Sequence, residues 1–203
     1  MHHCFRKLAG ALAAVAMAAG LTMAGTGTAH ADVTPPTVGW AEIFAPEINS
    51  NGITLCADNR SSLAQGNNLI LWRCHGYASN GAPQRWEFEF QGTRDSAGVL
   101  EFKIASVDSG LCMGLDPSRV AAGTVSGSNL VQESCINPFT TWGLVPATLS
   151  PDPNHQFILQ NSFSTYAGGP WVMEANTFLD QNGNRLIAEP RQDANSAQWF
   201  ALG

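Results

Sequence analysis

Lysine is nearly absent from this chain. Beyond residue 31 it occurs once, at Lys103, and the eight basic residues of that stretch face sixteen acidic ones, a formal charge of −8. Such a surface has no footprint for phosphate backbones, which disfavours nucleic acid and anionic membranes as partners. Long apolar runs are also scarce. The one present, Leu8 to Ala24, is short for a membrane span, and with no second run of about 20 residues no membrane insertion is expected. Gly and Pro interrupt nearly every window past Asp32, so no long helix is expected either. Cys-x-x-Cys is missing and His75 and His155 are isolated, which argues against zinc. There is no Gly-x-Ser-x-Gly, no His-Glu-x-x-His and no phosphate-cradling loop, so neither a catalytic constellation nor a cofactor is indicated.

What is present begins with an export signal. Arg6 and Lys7 precede the apolar run, and Ala29-His30-Ala31 before Asp32 supplies the small residues of a cleavage site. Residues 1–31 therefore read as a cleaved signal peptide, and the protein as secreted and extracellular. Cys4 leaves with that segment. Four cysteines remain, an even number in an oxidising compartment, with three possible pairings. Residues 32–40, with Pro35 and Pro36, read as a flexible lead-in.

An internal repeat organises the rest. Trp86, Trp142 and Trp199 close successive copies at spacings of 56 and 57 residues, and Cys56, Cys112 and Val172 open them. Each copy carries a strand-like piece upstream of its opening, then a loop rich in small polar residues and a short apolar run, Asn68 to Trp72, Asn129 to Gln132 and Arg185 to Ala188. Four short strands per copy give about twelve, an all-β chain. The arrangement that fits is a β-trefoil of three pseudo-repeats, with lobes at about 41–97, 98–153 and 154–203 of a single domain. Its three closing tryptophans are expected to be core posts. Pairing within copies, Cys56 with Cys74 and Cys112 with Cys135, is the economical choice, although sequence alone does not select it. Each bridge closes a loop of about twenty residues and stabilises by about 3 kcal/mol on the chain-entropy model.

Cys56-Ala57-Asp58, then Leu69-Ile70-Leu71-Trp72-Arg73-Cys74, then Gln84-Arg85-Trp86, resemble the ricin B-type lectin family of β-trefoil carbohydrate-binding domains. The likeness spans about Ala41 to Gly203 and is fullest in the first copy. It implies carbohydrate binding by Asp58 as acceptor of sugar hydroxyls and Trp72 as the stacking plate, with Gln84 as a supporting polar group. Asn67, Asn68, His75 and Asn80 lie near enough to assist. Ile70 and Pro83 stand where the family often has Gln and Asn, and each removes a hydrogen-bonding side chain. In the second copy Gly114 and Glu133 take the acceptor and plate positions, with Asp116 two residues beyond the acceptor. In the third they are taken by Glu174 and Ala188. Both copies read as mainly structural.

The plain alternatives are a turn-forming role for Asp58 and half-buried strand packing for Trp72. The function expected is non-catalytic binding of a glycan or polysaccharide through the first lobe. The alternative is a trefoil without sugar binding that acts as an interaction or inhibitor scaffold for a protein partner.

Overall fold

The computed structural model describes residues 39–46, 53–75, 82–94, 99–153, 155–163, 170–176 and 183–203. Residues 1–31, read above as a signal peptide, most of residues 32–40 and Asn80 lie outside them. Twelve strands follow in chain order, four per repeat. The first lobe holds β1 (Ile43–Ala45), β2 (Leu55–Asp58), β3 (Ile70–Arg73) and β4 (Trp86–Arg94). The second holds β5 (Val99–Ser106), β6 (Cys112–Leu115), β7 (Ser128–Glu133) and β8 (Thr141–Pro146). The third holds β9 (Gln156–Asn161), β10 (Trp171–Ala175), β11 (Asn184–Pro190) and β12 (Phe200–Leu202). A five-residue helix, α1 (Pro117–Ala121), interrupts the second lobe.

Two rings of strands close on themselves. In the first, the antiparallel pairs β4–β5, β5–β8, β8–β9, β9–β12 and β12–β1 make a barrel, which the bridge between Ala41 and Trp86 completes. In the second, the hairpins β2–β3, β6–β7 and β10–β11 cap one end of it. They are joined by β11–β3, β11–β7 and the bridge between Asn68 and Val131. Closing both rings leaves few unpaired edges for another chain to extend.

Apolar residues of all three lobes meet in one core. Trp86 and Trp142 are fully buried there, and their indole N–H groups donate to Ala57 O and Met113 O at 3.0 and 2.9 Å. The third post is Phe200, which corrects the expectation for Trp199. In each lobe a one-turn 3-10 helix, ending at Gln84, Thr140 or Gln198, stands two residues before the post. Trp199 is one residue early. It packs in a small separate cluster with Ala147, Ile158 and Val172, and its indole donates to Asp193 O at 3.0 Å. A strand alternates its faces, so one residue of offset exchanges core for flank.

Disulfides join Cys56 to Cys74 and Cys112 to Cys135, each with Cα atoms 5.0 Å apart, within the span that unstrained bridges use. Glu42 lies beside the first, but both sulfurs are committed to the bond, so the three residues make no metal site. The buried Glu42 leaves Oε1 without a hydrogen-bond partner. The lead-in ends packed, with the Arg85 guanidinium 4.3 Å over the Trp40 ring.

Two outcomes follow for stability. Phe200→Ala is expected to cost about 3–5 kcal/mol in urea unfolding, whereas Trp199→Phe costs about 1 kcal/mol, the worth of one hydrogen bond. Burial raises the Glu42 carboxyl above its ordinary 4.5, with Arg85 and His75 pulling it back. A raised acid favours the neutral form in the fold, so stability is full below pH 4.5 and declines as pH rises through the folded value. Glu42→Gln should therefore raise Tm by about 2–4 °C at pH 7, the shift given by about 1 kcal/mol in a chain of this size. Melting curves of the two proteins should converge near pH 4.

Candidate functional site

Asp58 ends β2 and is 4% exposed. Its Oδ1 accepts from Arg60 N at 2.5 Å, and its Oδ2 accepts from Gln84 Nε2 at 3.0 Å. The turn role anticipated for it is thus real, but it uses one bond per oxygen. A carboxylate has about four acceptor sites, so capacity remains for a ligand. Gln84 is fully buried and spends its whole side chain on support: Nε2 also donates to Arg73 O at 3.0 Å, and Oε1 accepts from His75 N at 2.8 Å. It holds the carboxylate and the end of β3 together and meets no solvent itself.

Beyond Asp58 the chain makes an unusual turn. Arg60 and Ser61 both adopt left-handed backbone, φ 61° and 53°, a conformation that costs on the order of 1–3 kcal/mol per non-glycine residue. Buried Asn59 offsets it. Its Oδ1 accepts from Ser61 N at 2.9 Å, its Nδ2 donates to Ser106 Oγ at 2.9 Å and Gln132 Oε1 at 3.3 Å, and its own N–H reaches Pro83 O at 3.0 Å. The turn is therefore pinned to the second lobe. Asn67 serves the same purpose, donating to Asn59 O at 2.7 Å.

Trp72 stands on β3 opposite Cys56 and is 38% exposed, against a packed core on the alternate residues Leu69 and Leu71. Together with Asp58, Arg60, Ser61, Ile70, His75 and Pro83 it lines a hollow of about 310 Å³. The site thus brings Asp58 and Trp72 to one surface and puts Gln84 behind them. Ile70 and Pro83 both face the hollow and make that part of its wall apolar. A second hollow, of about 300 Å³, shares Arg60, Ile70 and Trp72 and adds Asn68, Gly183 and Arg185. Gly183, in left-handed backbone at φ 87°, lies close enough that a Cβ there would sit 3.8 Å from Trp72 Cζ3.

The other lobes show what the same framework becomes without an open site. Pairing opposite the opening residues identifies the plate positions: Trp72 opposite Cys56, Glu133 opposite Cys112 and Glu189 opposite Val172. Glu133 is as expected. In the third lobe the plate position is Glu189, which corrects Ala188 by one residue; Ala188 points into the core and is fully buried. Both glutamates are tied to a neighbouring lobe, Glu133 Oε2 accepting from Gln65 Nε2 at 2.6 Å and Glu189 Oε2 from Ser126 Oγ at 2.6 Å.

Gly114 holds the acceptor position of the second lobe with no room for a side chain: a Cβ would lie 2.6 Å from Thr140 Cγ2 and 3.2 Å from Phe139 O. Asp116 does not compensate, since its Oδ1 caps α1 by accepting from Ser118 N at 2.9 Å. The third lobe keeps the supporting scheme. Gln198 Nε2 donates to Glu174 Oε2 at 2.7 Å and Pro190 O at 3.0 Å, while its Oε1 accepts from Gln192 N at 2.8 Å. Asn195 Nδ2 adds a bond to Glu174 Oε2 at 3.1 Å. Burial raises the Glu174 carboxyl above the usual range; the Gln198 and Asn195 bonds oppose this and nearby Glu189 adds to it.

No family model matches this chain, and no curated protein does. Solved structures do. The chain is similar to ThreeFoil, a designed 3-fold symmetric protein, at 17% identity over 81% of this chain and 98% of that one, with TM-score 0.59. It is similar to the Rhizoctonia solani agglutinin at 16% identity over 83% and 98%, with TM-score 0.56. The fold is a β-trefoil. An exo-β-1,3-galactanase from Clostridium thermocellum also contains this trefoil, at 13% identity and TM-score 0.59, the match covering 83% of this chain but 31% of that enzyme. Trefoils thus occur in an agglutinin and within an enzyme, so chemistry has to be read from the site.

Arg60, Ser61 and Arg185 are the site-lining residues that the repeat reading missed as side chains. The turn after Asp58 was a signal for the first two. Arg185 had none, because it arrives from the third lobe through the pairing of β11 with β3. As a check on lobe geometry, Gly114→Ala is expected to lose about 1–3 kcal/mol by overpacking. Thr140→Ser, which removes the clashing methyl, should restore part of that loss in the double variant, measured by urea unfolding.

Proposed function

We propose that this protein is a secreted, non-catalytic carbohydrate-binding protein that holds one sugar in the hollow of the first lobe. The observation that carries the reading is the pairing of a solvent-facing indole with a buried, pre-oriented carboxylate in one hollow. A pyranose has a face of C–H groups and a rim of hydroxyls. Its face stacks on Trp72, and a hydroxyl donates to Asp58, a charge-assisted bond worth about 1.5–3 kcal/mol. Gln84 keeps the carboxylate in place, so the acceptor does not need to be ordered when the sugar arrives. His75 and Ser61 are placed to meet further hydroxyls. The acceptor position is packed shut at Gly114 in the second lobe and bonded by amides at Glu174 in the third, so a single site and modest affinity are expected, without avidity.

One observation favours the protein-partner alternative. Phe90 is 59% exposed on the β4–β5 hairpin, against Phe102 with ring centroids 5.7 Å apart. That apolar spot is remote in sequence from the first hollow and gives a scaffold a place to make contact.

A glycan array probed with the oxidised protein from Asp32 onward separates the two. Under the carbohydrate reading, Trp72→Ala and Asp58→Ala, verified as folded by circular dichroism, each weaken binding at least about tenfold, which corresponds to about 1.4 kcal/mol. Phe90→Ser leaves it unchanged. Binding that survives both first-lobe substitutions places the site elsewhere, and an array without any signal favours the scaffold.

A further inference from the structure

We infer that the saccharide recognised at Trp72 is acidic, carrying a carboxylate or a sulfate on the unit next to the ring that stacks on the indole. The inference rests on the carbohydrate-binding reading and adds the chemical class of the ligand. Its basis is the second hollow, where Arg60 and Arg185 flank Trp72 beside Asn68. Both arginines are exposed, and among the described residues neither has an ion-pair partner. In a chain with so few basic residues, two guanidinium groups lining one hollow with an exposed indole are a local reversal of charge.

The backbone of each is held in position. Arg185 lies on β11 directly opposite Ile70 of β3, and Arg60 is fixed by the pinned left-handed turn. A guanidinium donates in a planar fork that matches the two oxygens of a carboxylate or sulfate, and it is less strongly hydrated than an ammonium. Arg60 lines both hollows, but in the first it stands beside the Asp58 carboxylate, whereas the second has Arg185 as well and no carboxylate, which makes the second the better place for an anion. Charge thus orders the ligand: the hydroxyl-bearing neutral ring goes to Asp58, the acidic unit to the arginines, and Trp72 is common to both. The overall negative charge of the chain opposes loose association with anions, so the preference depends on these two residues and not on bulk attraction.

The test is an array of matched triplets, each a neutral oligosaccharide beside its carboxylated and its sulfated counterpart, probed with the wild type, Arg185→Gln, Arg185→Lys and Trp72→Ala. The expected result is a preference of about tenfold or more for at least one acidic form, the scale of one charge-assisted pair. Arg185→Gln removes most of that preference, lowering binding of the acidic form far more than that of the neutral form. Arg185→Lys restores part of it, and added salt narrows the gap. Trp72→Ala weakens all forms together. The carboxylated and sulfated arms tell which anion is read.

Equal binding of neutral and acidic forms, or a preference that Arg185→Gln leaves intact, overturns this inference. If Trp72→Ala still abolishes binding in that case, the carbohydrate reading stands alone. A folded protein that binds no member of any triplet overturns both.

Discussion

Each lobe of this trefoil has to seal its hairpin against the next, and the residue opposite the opening position stands on that seam. Glu133 and Glu189 meet the requirement with hydrogen bonds to Gln65 and Ser126 of neighbouring lobes. Trp72 instead lies beside Gly183 of the third lobe, whose Cβ position is at ordinary van der Waals distance from the ring. A carboxylate bonded to the neighbouring lobe has an oxygen already committed, whereas the Trp72 indole leaves a ring face outside. The open hollow of the first lobe depends on that exchange.

The glutamine behind the site shows how structure and binding share the same atoms. Gln84 and Gln198 make the same three kinds of bond, to a carboxylate, to a carbonyl and from a backbone N–H. A buried amide left unbonded would cost on the order of 1–3 kcal/mol, so the scheme survives in the third lobe even where its carboxylate belongs to Glu174 and has two amide donors already. In the first lobe the shorter Asp58 keeps acceptor capacity toward the hollow. In the second lobe Thr140 and Gly114 replace the pair, and the space itself is gone. Three lobes of one design therefore give one open, one filled by its own bonds and one packed shut.

Local charge departs from global charge at the same place. The chain beyond residue 31 is acidic, yet Arg60 and Arg185 stand together at Trp72. They come from different lobes, and only the pairing of β11 with β3 makes them neighbours.

Period and spacing determined a great deal. Short apolar runs between turns, repeated three times with internal cysteine pairs in two of the copies, required an all-β chain of twelve strands, because only such a repeat buries its apolar faces jointly. Asp58, Trp72 and Gln84 became candidates through the resemblance to the ricin B-type family, which their offsets from Cys56 and Trp86 within one copy carry. The third lobe, without cysteines to mark its register, was misread by one residue at both Ala188 and Trp199. In a strand one residue turns a side chain from solvent to core, and sequence carries no such precision without a landmark. What only the tertiary structure decided was everything made between copies: Phe200 as the third post, the sealing bonds of Glu133 and Glu189, and the meeting of Arg60 with Arg185. Those contacts join residues far apart in the chain, and the short-range periodicity that identifies a strand does not specify which strand it will face.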